Sequence, residues 1–429
     1  MLSPTTDPAL KSFVAVPEGS HFPIQNLPFG VFRPRSGGPA RVGTALGEYV
    51  VDLAELERAG CFSGPCLAGN TVFAADSLNT FMALGRPAWK EARERLSHLL
   101  RSDVAELRDN GSLRARVFHP MTEVEMLLPA RIGDYTDFYS SREHATNVGI
   151  MFRGKENALM PNWLHLPIAY HGRASSIVVS GTAFHRPCGQ TQPVESEPPV
   201  FGASRMMDIE LEVGFLVGPG NERGTPVPAE QAHEHIFGFV LVNDWSARDI
   251  QKWEYQPLGP FLAKNFATSI SPWVVTLEAL EPFVCDGPAQ DPEPLPYLRT
   301  PGGQTWDIEL DVLLKTPGMA KAQRIVRSNF RHLYWNVSQQ LAHHTVNGCD
   351  LRPGDLLASG TISGPEKSSF GSLLELTWRG TEPLVLKDGE ERKFLQDGDS
   401  ITITGRCQAE GAVPIGFGEV EGTVLPART

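Results

Sequence analysis

The amino-acid sequence predicts a mostly β protein of the α+β class. We expect a small N-terminal β-barrel-like domain and a larger C-terminal mixed β-sandwich or roll with one long helix. Three observations support this prediction. At 429 residues, the chain exceeds the size of one ordinary hydrophobic core. The 41 glycines and 35 prolines supply many tight turns. The segments between those turns are short and rich in β-branched and aromatic residues, which is typical of strands.

The first predicted domain covers residues 1–129 and is expected to be an SH3-like β unit with a helix. Residues 30–35 (GVFRPR) and 47–53 (GEYVVDL) alternate apolar with polar side chains between Gly-rich turns, which indicates strands. Residues 113–121 (LRARVFHPM) are predicted as a further strand. We place the end of this domain close to Pro129.

Two helices are predicted, one in each domain. The first begins at Asp76 or Ser77, because the apolar residues that follow recur at helical spacing, and Pro87 should kink or split it. The second runs from about residue 328 to residue 346. It ends before an Asn-Gly pair, which is a common signal for the end of a helix.

The second predicted domain, residues 130–429, consists mainly of strands. Its candidate strand segments are short and bounded by Gly or Pro. They are DIELEVGFLVG (208–218), IFGFVLVNDWS (236–246), SPWVVTLEAL (271–280), WDIELDVLLK (306–315), GSLLELTWRG (371–380) and DSITITGRC (399–407). Strands joined in this way, with few helices between them, favour a sandwich or roll over a βαβ fold.

The composition excludes several classes of protein. A formal net charge of −12 argues against binding to nucleic acid, which requires clustered Lys and Arg. The 6 cysteines form neither a zinc-site spacing nor a disulfide framework, so we expect free thiols. The N-terminus shows no signal-peptide pattern, and no apolar run approaches the ~18–20 residues that span a bilayer. We therefore expect a soluble cytoplasmic protein without a membrane partner.

Acidic residues alternate along one predicted strand. Side chains alternate across a strand, so Asp208, Glu210 and Glu212 are expected to share one face. If that face is partly buried, the carboxylates need a cation, and hard divalent ions prefer oxygen ligands. If it is exposed, water screens the repulsion and no ion is needed. Residues 307–311 repeat the pattern, and the pattern alone does not choose between the two strands.

Two further carboxylates are candidates for the same site. Asp244 ends an apolar strand, where polar side chains commonly project into a cleft, and Asp137 lies in a segment rich in turns and polar residues. If these two side chains converge on Glu210 and Glu212, they form an all-oxygen site suited to Mg²⁺ or Ca²⁺. No chemical argument from the sequence establishes that convergence.

His144 is the candidate general base. It lies seven residues after Asp137, and an unperturbed histidine pKa of about 6.5 suits proton transfer near neutral pH. His343 and His344 are the rival pair near the end of the second helix. Adjacent helical residues face different directions, so we interpret them mainly as charge at the helix C-terminus.

A set of hydrogen-bond donors follows Asp244. Arg248, Gln251, Tyr255 and Lys264 lie within twenty residues of this carboxylate, and donors beside a metal suit a developing oxyanion. An ordinary polar loop would account for the same residues equally well.

Long blocks of the sequence resemble the fumarylacetoacetate hydrolase family. They are residues 132–181, MDIELEVGF at 207–215, the segment 242–275 and SGTISGP at 359–365. The resemblance extends over essentially the whole chain. It implies a metal-dependent hydrolase, with a catalytic C-terminal domain, that cleaves a C–C bond of fumarylacetoacetate to give fumarate and acetoacetate, the last step of tyrosine and phenylalanine catabolism.

The resemblance also implies roles for individual residues. The implied metal ligands are Asp137, Glu210, Glu212 and Asp244, so the resemblance selects the 208 strand over the 307 strand. The implied catalytic residues are His144, Glu375, Arg248, Gln251 and Lys264. The implied substrate contacts are Tyr139, Arg153, Tyr170, Gln251, Tyr255 and Thr361.

A second, structural cation is implied near Asp244, Lys264 and Thr268. Ala267 and Asn265 differ from what the family pattern leads us to expect beside it, which weakens this second site. The resemblance further implies Mg²⁺, Ca²⁺ or both as cofactor, and a homodimer.

Two alternatives stay open. Related enzymes that share the carboxylate ligands act as decarboxylases or hydratases of oxo acids. A non-catalytic Ca²⁺-dependent β module would use the carboxylates only for stability, and it would have no need of His144 and Glu375.

Overall fold

The computed structural model describes residues 3–300 and 304–428. Residues 1–2, 301–303 and 429, which the two predicted domains include, lie outside that part. The described protein is mostly β, as predicted, with a curled sheet in the N-terminal part and two large sheets in the C-terminal part. A division into domains near Pro129 stays a prediction.

The N-terminal sheet has five antiparallel strands in the order β4-β3-β2-β1-β5. The strands are β1 (Phe29–Pro34), β2 (Arg41–Leu46), β3 (Tyr49–Asp52), β4 (Phe118–Pro120) and β5 (Val124–Leu127). The two alternating segments predicted as strands are confirmed. Buried side chains along β1, β2 and β3 supply the apolar face of this sheet.

Five helices accompany this sheet: α1 (Leu53–Arg58), α2 (Asn79–Ala83), α3 (Arg86–Leu100), α4 (Ala105–Arg108) and α5 (Gly111–Val117). The predicted split of the first helix is confirmed, since Gly85 separates α2 from α3 with φ of 80°. The strand predicted over 113–121 is wrong for most of its length, because Asn110 caps α5 by accepting from the Leu113 amide. Only its last residues form β4.

A buried arginine joins α3 to the start of the chain. Arg93 is 1% exposed. Its guanidinium donates to Thr5 Oγ1 at 2.8 Å, to the Gln25 carbonyl at 2.5 Å and to the Asn26 carbonyl. Burial lowers the pKa of Arg93 to about 10, so it remains charged at neutral pH. These bonds hold the irregular first residues against the helix.

We expect Arg93→Met to lower the free energy of unfolding by about 2–4 kcal/mol, because it leaves two buried carbonyls without donors. Denaturant unfolding measures the change. The control is Lys90→Met on the same helix, since Lys90 pairs with Glu94 at the surface and should matter by less than about 0.5 kcal/mol. Equal stability of the two variants would contradict the structural role of Arg93.

An eight-stranded sheet forms the centre of the C-terminal part. Its order is β7-β6-β22-β13-β14-β16-β8, and β17 pairs with β14. Pairing is antiparallel except between β6 and β22 and between β16 and β8. Its strands are β6 (Tyr135–Phe138), β7 (Ala169–His171), β8 (Ile177–Val179), β13 (Leu211–Val217), β14 (Ile236–Asp244), β16 (Thr268–Ile270), β17 (Val275–Thr276) and β22 (Leu356–Ala358).

A second, five-stranded sheet has the order β21-β20-β25-β26-β9. Its strands are β9 (Phe184–His185), β20 (Glu309–Lys315), β21 (Gln323–Asn329), β25 (Ser400–Cys407) and β26 (Ile415–Leu425). The remaining strands pair two by two: β10 (Cys188–Thr191) with β11 (Val200–Ala203), β12 (Met207–Asp208) with β15 (Ser246–Ala247), β18 (Val284–Asp286) with β19 (Gln304–Trp306), and β23 (Leu384–Val385) with β24 (Glu391–Arg392).

The eight-stranded sheet lies between two layers, and this explains its composition. One core joins one face of the sheet to the N-terminal part, and another joins the opposite face to the five-stranded sheet. All nine residues of β14 are buried, which is why that strand is a continuous apolar run that ends in Asn-Asp. Its last residue, Asp244, lies at the end of the sheet where the functional side chains are found.

The C-terminal helices are α6 (Arg142–Arg153), α7 (Arg248–Glu254), α8 (Leu277–Leu280), α9 (Val337–Thr345) and α10 (Leu373–Leu376). The helix predicted from residue 328 begins later, because Asn336 and Gln339 form a capping box. The strand predicted over 371–380 is wrong: the Ser372 side chain accepts from the Glu375 amide and starts α10. The strand predicted over 271–280 is wrong for most of its length, since only Val275–Thr276 forms β17 and α8 begins at Leu277.

Short 3₁₀ turns complete the described backbone. They are Pro4–Thr6, Met121–Glu123, Lys155–Asn157, Ala174–Ser176, Ala229–Glu234, Glu281–Phe283, Pro296–Leu298, Phe330–His332 and Lys367–Ser369. All six cysteines are free thiols, as predicted. Among residues 3–300 and 304–428, no helix combines the length and the apolar character needed to cross a membrane.

Candidate active site

Four carboxylates meet at one end of the eight-stranded sheet. Asp137 lies on β6, Glu212 on β13 and Asp244 at the end of β14, and Glu210 directly precedes β13. One oxygen from each carboxylate lies within 4.8 Å of the others, and all four residues are buried. Within the described part of the chain, this is the acidic cluster whose geometry suits a metal ion.

Strand alternation places three of these carboxylates on one face. Each strand buries, in phase with its carboxylate, a residue that packs in the core shared with the N-terminal part. These residues are Tyr135 on β6, Leu216 on β13 and Val242 on β14. The three carboxylates therefore lie on the same face of the sheet as these residues, at the point where the core ends.

Several oxygens of the cluster lack a donor. Asp137 Oδ1 and both carboxylate oxygens of Glu212 are buried and accept no hydrogen bond. Burial, reinforced by the neighbouring carboxylates, raises the pKa of both side chains well above the usual range. A divalent cation would satisfy these oxygens and offset the repulsion, and an all-oxygen set suits a hard ion such as Mg²⁺ or Ca²⁺.

The second acidic strand lies in a different environment. Asp311 and Glu309 on β20 form ion pairs with Arg327, and the Glu309 side chain is 46% exposed. Arg331 and Asn329 contact Asp307. The arginines and water neutralise this strand, which explains why the same sequence pattern produces no metal cluster there.

Two cationic side chains surround Glu210. Arg248 Nη1 lies 2.8 Å from one carboxylate oxygen, and Lys264 Nζ donates to the other. Burial alone would raise the pKa of Glu210, but these two charges lower it to about 2. The side chain is therefore ionised at neutral pH, beside two carboxylates that resist ionisation.

Lys264 and Thr268 both act as donors to Asp244. Lys264 Nζ lies 2.8 Å from Oδ2, and Thr268 Oγ1 lies 2.6 Å from Oδ1. Burial opposes the charge on Lys264, yet Asp244 and Glu210 raise its pKa above the ordinary value, so its nitrogen is protonated and donates. The second cation near these residues stays a prediction.

Asp208 does not share a face with the acidic cluster, and the predicted alternation is wrong there. The chain leaves the strand conformation at Ile209 and Glu210, between β12 and β13. Asp208 instead accepts from Arg248 Nε at 2.7 Å and from the amides of Leu373 and Leu374 at 2.6 and 3.0 Å. It orients the arginine and caps the start of α10.

His144 and Glu375 form a buried hydrogen-bonded pair. His144 Nδ1 lies 2.7 Å from Glu375 Oε2. If Nδ1 carries the proton that this bond requires, Nε2 is left as a free acceptor. Burial would raise the pKa of Glu375, but the interaction with His144 and the surrounding donors lower it, so the partner is a carboxylate.

Three donors hold the Glu375 carboxylate. Ser363 and Ser372 hydroxyls donate to Oε2 at 2.9 and 2.7 Å, and Asn147 Nδ2 donates to Oε1 at 2.9 Å. Asn147 lies one turn after His144 on α6, so one helix supplies both this histidine and a donor to its partner. The sequence analysis did not identify Asn147 or Ser363. The spacing of three residues after His144 was the only local signal for Asn147.

A cavity of about 370 Å³ joins the acidic cluster to the His144–Glu375 pair. Asp137, Glu210, His144 and Lys264 contribute to its walls. All six residues predicted to contact substrate also line it: Tyr139, Arg153, Tyr170, Gln251, Tyr255 and Thr361. Glu212, Asp244 and Glu375 lie behind these walls, and the sequence analysis missed Phe152 and Lys252 among the lining residues.

Hydrogen bonds within the protein hold several of these side chains in place. The Tyr170 hydroxyl donates to Asp244 at 2.8 Å, and Arg248 Nη1 donates to Gln251 Oε1 at 3.1 Å. The Gln251 amide nitrogen therefore remains available as a donor. Thr361 Oγ1 is buried without a hydrogen-bond partner.

The rival pair, His343 and His344, lies outside the cavity wall. The two rings are hydrogen-bonded to Tyr297 and Thr136, respectively. Burial lowers both histidine pKa values, which is contrary to the predicted helix-end charge.

Known proteins resemble this chain over nearly its full length. It is 60% identical to the fumarylacetoacetase of Bos taurus over 417 residues, 97% of this chain and 99% of that protein. The fumarylacetoacetase of Homo sapiens is 59% identical with the same coverage. That of Arabidopsis thaliana is 56% identical over 418 residues, again 97% of this chain and 99% of the relative.

Solved structures share the fold at lower identity. The fumarylacetoacetate hydrolase of psychrophilic Exiguobacterium antarcticum has a TM-score of 0.52 and 18% identity, covering 94% of this chain and 100% of that chain. A putative HpcE protein from Mycobacterium smegmatis has a TM-score of 0.51 and 18% identity, covering 93% and 99%. At this identity the similarity establishes the fold alone.

Two family models match the chain. The model described as "Fumarylacetoacetase N-terminal" matches residues 25–129. The model described as "Fumarylacetoacetate (FAA) hydrolase C-terminal" matches residues 134–425. Together with the relatives at 56–60% identity, these matches establish that the chain belongs to the fumarylacetoacetate hydrolase family.

Proposed function

We propose that this chain is an enzyme that hydrolyses the C–C bond of 4-fumarylacetoacetate to fumarate and acetoacetate. The observation that carries the proposal is the similarity of 56–60% over 97% of the chain to relatives named fumarylacetoacetase. The cavity supports it independently, because a buried acidic cluster and a His–Glu pair face the same space. Together they supply a site for a Lewis-acidic ion and a candidate general base.

The four carboxylates would hold a divalent ion, Mg²⁺ or Ca²⁺, through their oxygens. When bound, such an ion acts as a Lewis acid toward carbonyl oxygens and orients the substrate. A second cation near Asp244, Lys264 and Thr268 is part of the proposal. So are a homodimer, which rests on the family resemblance alone, and a cytoplasmic location, which rests on the sequence patterns.

His144 is the proposed general base. Its free Nε2 takes a proton from water, whose oxygen adds to the carbonyl carbon of the fumaryl group. Glu375 accepts from Nδ1, keeps the ring in the required tautomer and stabilises the charge that forms on the imidazole. The serines and Asn147 that hold Glu375 keep this carboxylate in place during the transfer.

Arg248, Gln251 and Lys264 are the proposed donors to the oxyanion. As the tetrahedral intermediate collapses, the bond between the fumaryl carbonyl carbon and the neighbouring methylene breaks. The electron pair remains on the acetoacetate half, and the protonated Lys264 donates a proton to this carbanion to give acetoacetate. Tyr139, Arg153, Tyr170, Tyr255 and Thr361 are the proposed further substrate contacts.

Product analysis tests the proposal. Purified protein with Mg²⁺ or Ca²⁺ should convert fumarylacetoacetate to fumarate and acetoacetate in a 1:1 ratio. Release of CO₂, or a product that retains all the carbons, would instead indicate the decarboxylase or hydratase alternative. Metal-dependent melting without any turnover would indicate the non-catalytic Ca²⁺ module.

A further inference from the structure

One face of α7 lines the active-site cavity. Arg248, Gln251, Lys252 and Tyr255 all contribute to the cavity wall. Their spacing of three, four and seven residues places them on one side of a helix. Three of the four already have proposed roles, whereas Lys252 has none. Its side chain is 46% exposed, so it lies at the open part of the wall.

Lys252 is less strongly paired with carboxylates than the cations deeper in the cavity. Arg248 lies within 3 Å of Asp208 and Glu210, so carboxylates offset its charge. The ion pair of Lys252 is with Glu195, at 3.9 Å, and the Glu195 side chain is 88% exposed. Such a long surface contact contributes little, so Lys252 is available to a ligand.

Arg153 lies on a second wall of the cavity and, like Lys252, has a positive charge that is available to a ligand. Its Nε and Nη2 donate to the Asn157 and Ala158 carbonyls, which position the guanidinium without neutralising it. It lies nine residues after His144 on α6, roughly 13 Å along the helix axis at ~1.5 Å per residue. Lys252 lies one turn, roughly 6 Å, beyond Arg248 on α7. Both cations are thus displaced along their helices from the reacting groups.

The proposed substrate has a carboxylate at each end. The closely spaced oxygens of its acetoacetate half form the chelating end, which suits the acidic cluster and a divalent ion. The carboxylate of the fumaryl half then requires a positive charge farther from that cluster. A flexible ammonium group on the cavity wall can reach such a carboxylate and accommodate its approach.

We propose that Lys252 binds the carboxylate of the fumaryl half and so selects β-diketo acids with a carboxylated acyl chain over those without one. This inference rests on the proposed function. It makes Lys252 a determinant of specificity, whereas His144 and the acidic cluster lie at the bond that is cleaved.

The test compares Lys252→Met with the unaltered enzyme on two substrates: fumarylacetoacetate, and 3,5-dioxohexanoate, which has a methyl group in place of the carboxylated chain. We expect KM for fumarylacetoacetate to rise about tenfold, with kcat changed less than twofold, because a half-exposed charge-assisted bond is lost. KM for 3,5-dioxohexanoate should stay the same.

The matched control is Lys90→Met, which removes the same charge on α3, outside the cavity, and should change neither KM. Equal increases in both KM values for Lys252→Met would indicate a disturbed cavity wall and overturn the inference, as would no increase in either. These outcomes differ from failure of the proposed function, in which the unaltered enzyme hydrolyses neither substrate.

Discussion

His144→Ala should lower kcat about 10²–10⁴-fold, the usual contribution of a positioned general base. Nδ1 of this ring is bonded to Glu375, and the ring lines the cavity, so its loss removes the proposed acceptor of the water proton. Glu375→Gln should lower kcat over a similar range, because an amide nitrogen facing Nδ1 favours the wrong tautomer. The measurement is turnover at saturating fumarylacetoacetate and metal.

Two controls separate chemistry from folding. Both variants should bind metal as the unaltered enzyme does, since neither residue belongs to the acidic cluster. The double variant should be about as slow as the slower single variant, because the pair acts as one unit. Turnover within threefold of normal for His144→Ala would remove this residue from the mechanism and leave the metal site without its proposed base.

Glu212→Gln should have the second large effect, which is a loss of metal binding. Both carboxylate oxygens of Glu212 lack donors, and burial and the neighbouring carboxylates disfavour its ionised form. Without metal, the amide removes this repulsion and can donate to a neighbouring carboxylate. The metal-free variant should therefore melt higher than the metal-free unaltered protein.

The same substitution should abolish most of the stabilisation by Mg²⁺ or Ca²⁺. A ligand at ~100 times its Kd stabilises a protein by about 2.7 kcal/mol, or several degrees in Tm. Thermal melts across a metal titration measure both effects. Glu309→Gln on β20 is the matched control, since this carboxylate pairs with Arg327 at the surface. An undiminished metal response in Glu212→Gln would contradict the assigned ligand set.

Local patterns predicted the strands well and the site only in part. The apolar run of β14 is visible in the sequence because both faces of the central sheet are covered, and in β13 the acidic Glu212 interrupts an otherwise apolar strand. Which carboxylates become neighbours depends on the strand order β6-β22-β13-β14, and that order is not contained in any one segment. The convergence of Asp137 with Glu212 therefore needed the family resemblance.

The errors have physical causes. The acidic pattern implied that Asp208 and Glu210 share a face, but Asp208 bonds to amides 165 and 166 residues away, and the strand breaks between them. The Leu-rich segment around Glu375 resembles a strand until the hydroxyl of Ser372 caps a helical turn. In both cases one side-chain hydrogen bond overrides the local pattern.

Asn147 and Lys252 are among the residues that escaped prediction, because their roles depend on contacts that no local pattern shows. Asn147 gains its role from contact with Glu375, 228 residues later. Lys252 shows its availability only when Arg248 and Lys264, deeper in the cavity, are seen to be paired with carboxylates.

The acidic cluster and the His144–Glu375 pair should act together, so that hydrolysis depends on a bound metal. The most direct test follows the loss of the β-diketone ultraviolet absorbance of fumarylacetoacetate before chelation, after chelation and after re-addition of Mg²⁺ or Ca²⁺. We predict that turnover disappears with the metal and returns with it, giving equal amounts of fumarate and acetoacetate. Undiminished turnover by fully chelated protein would contradict the claim.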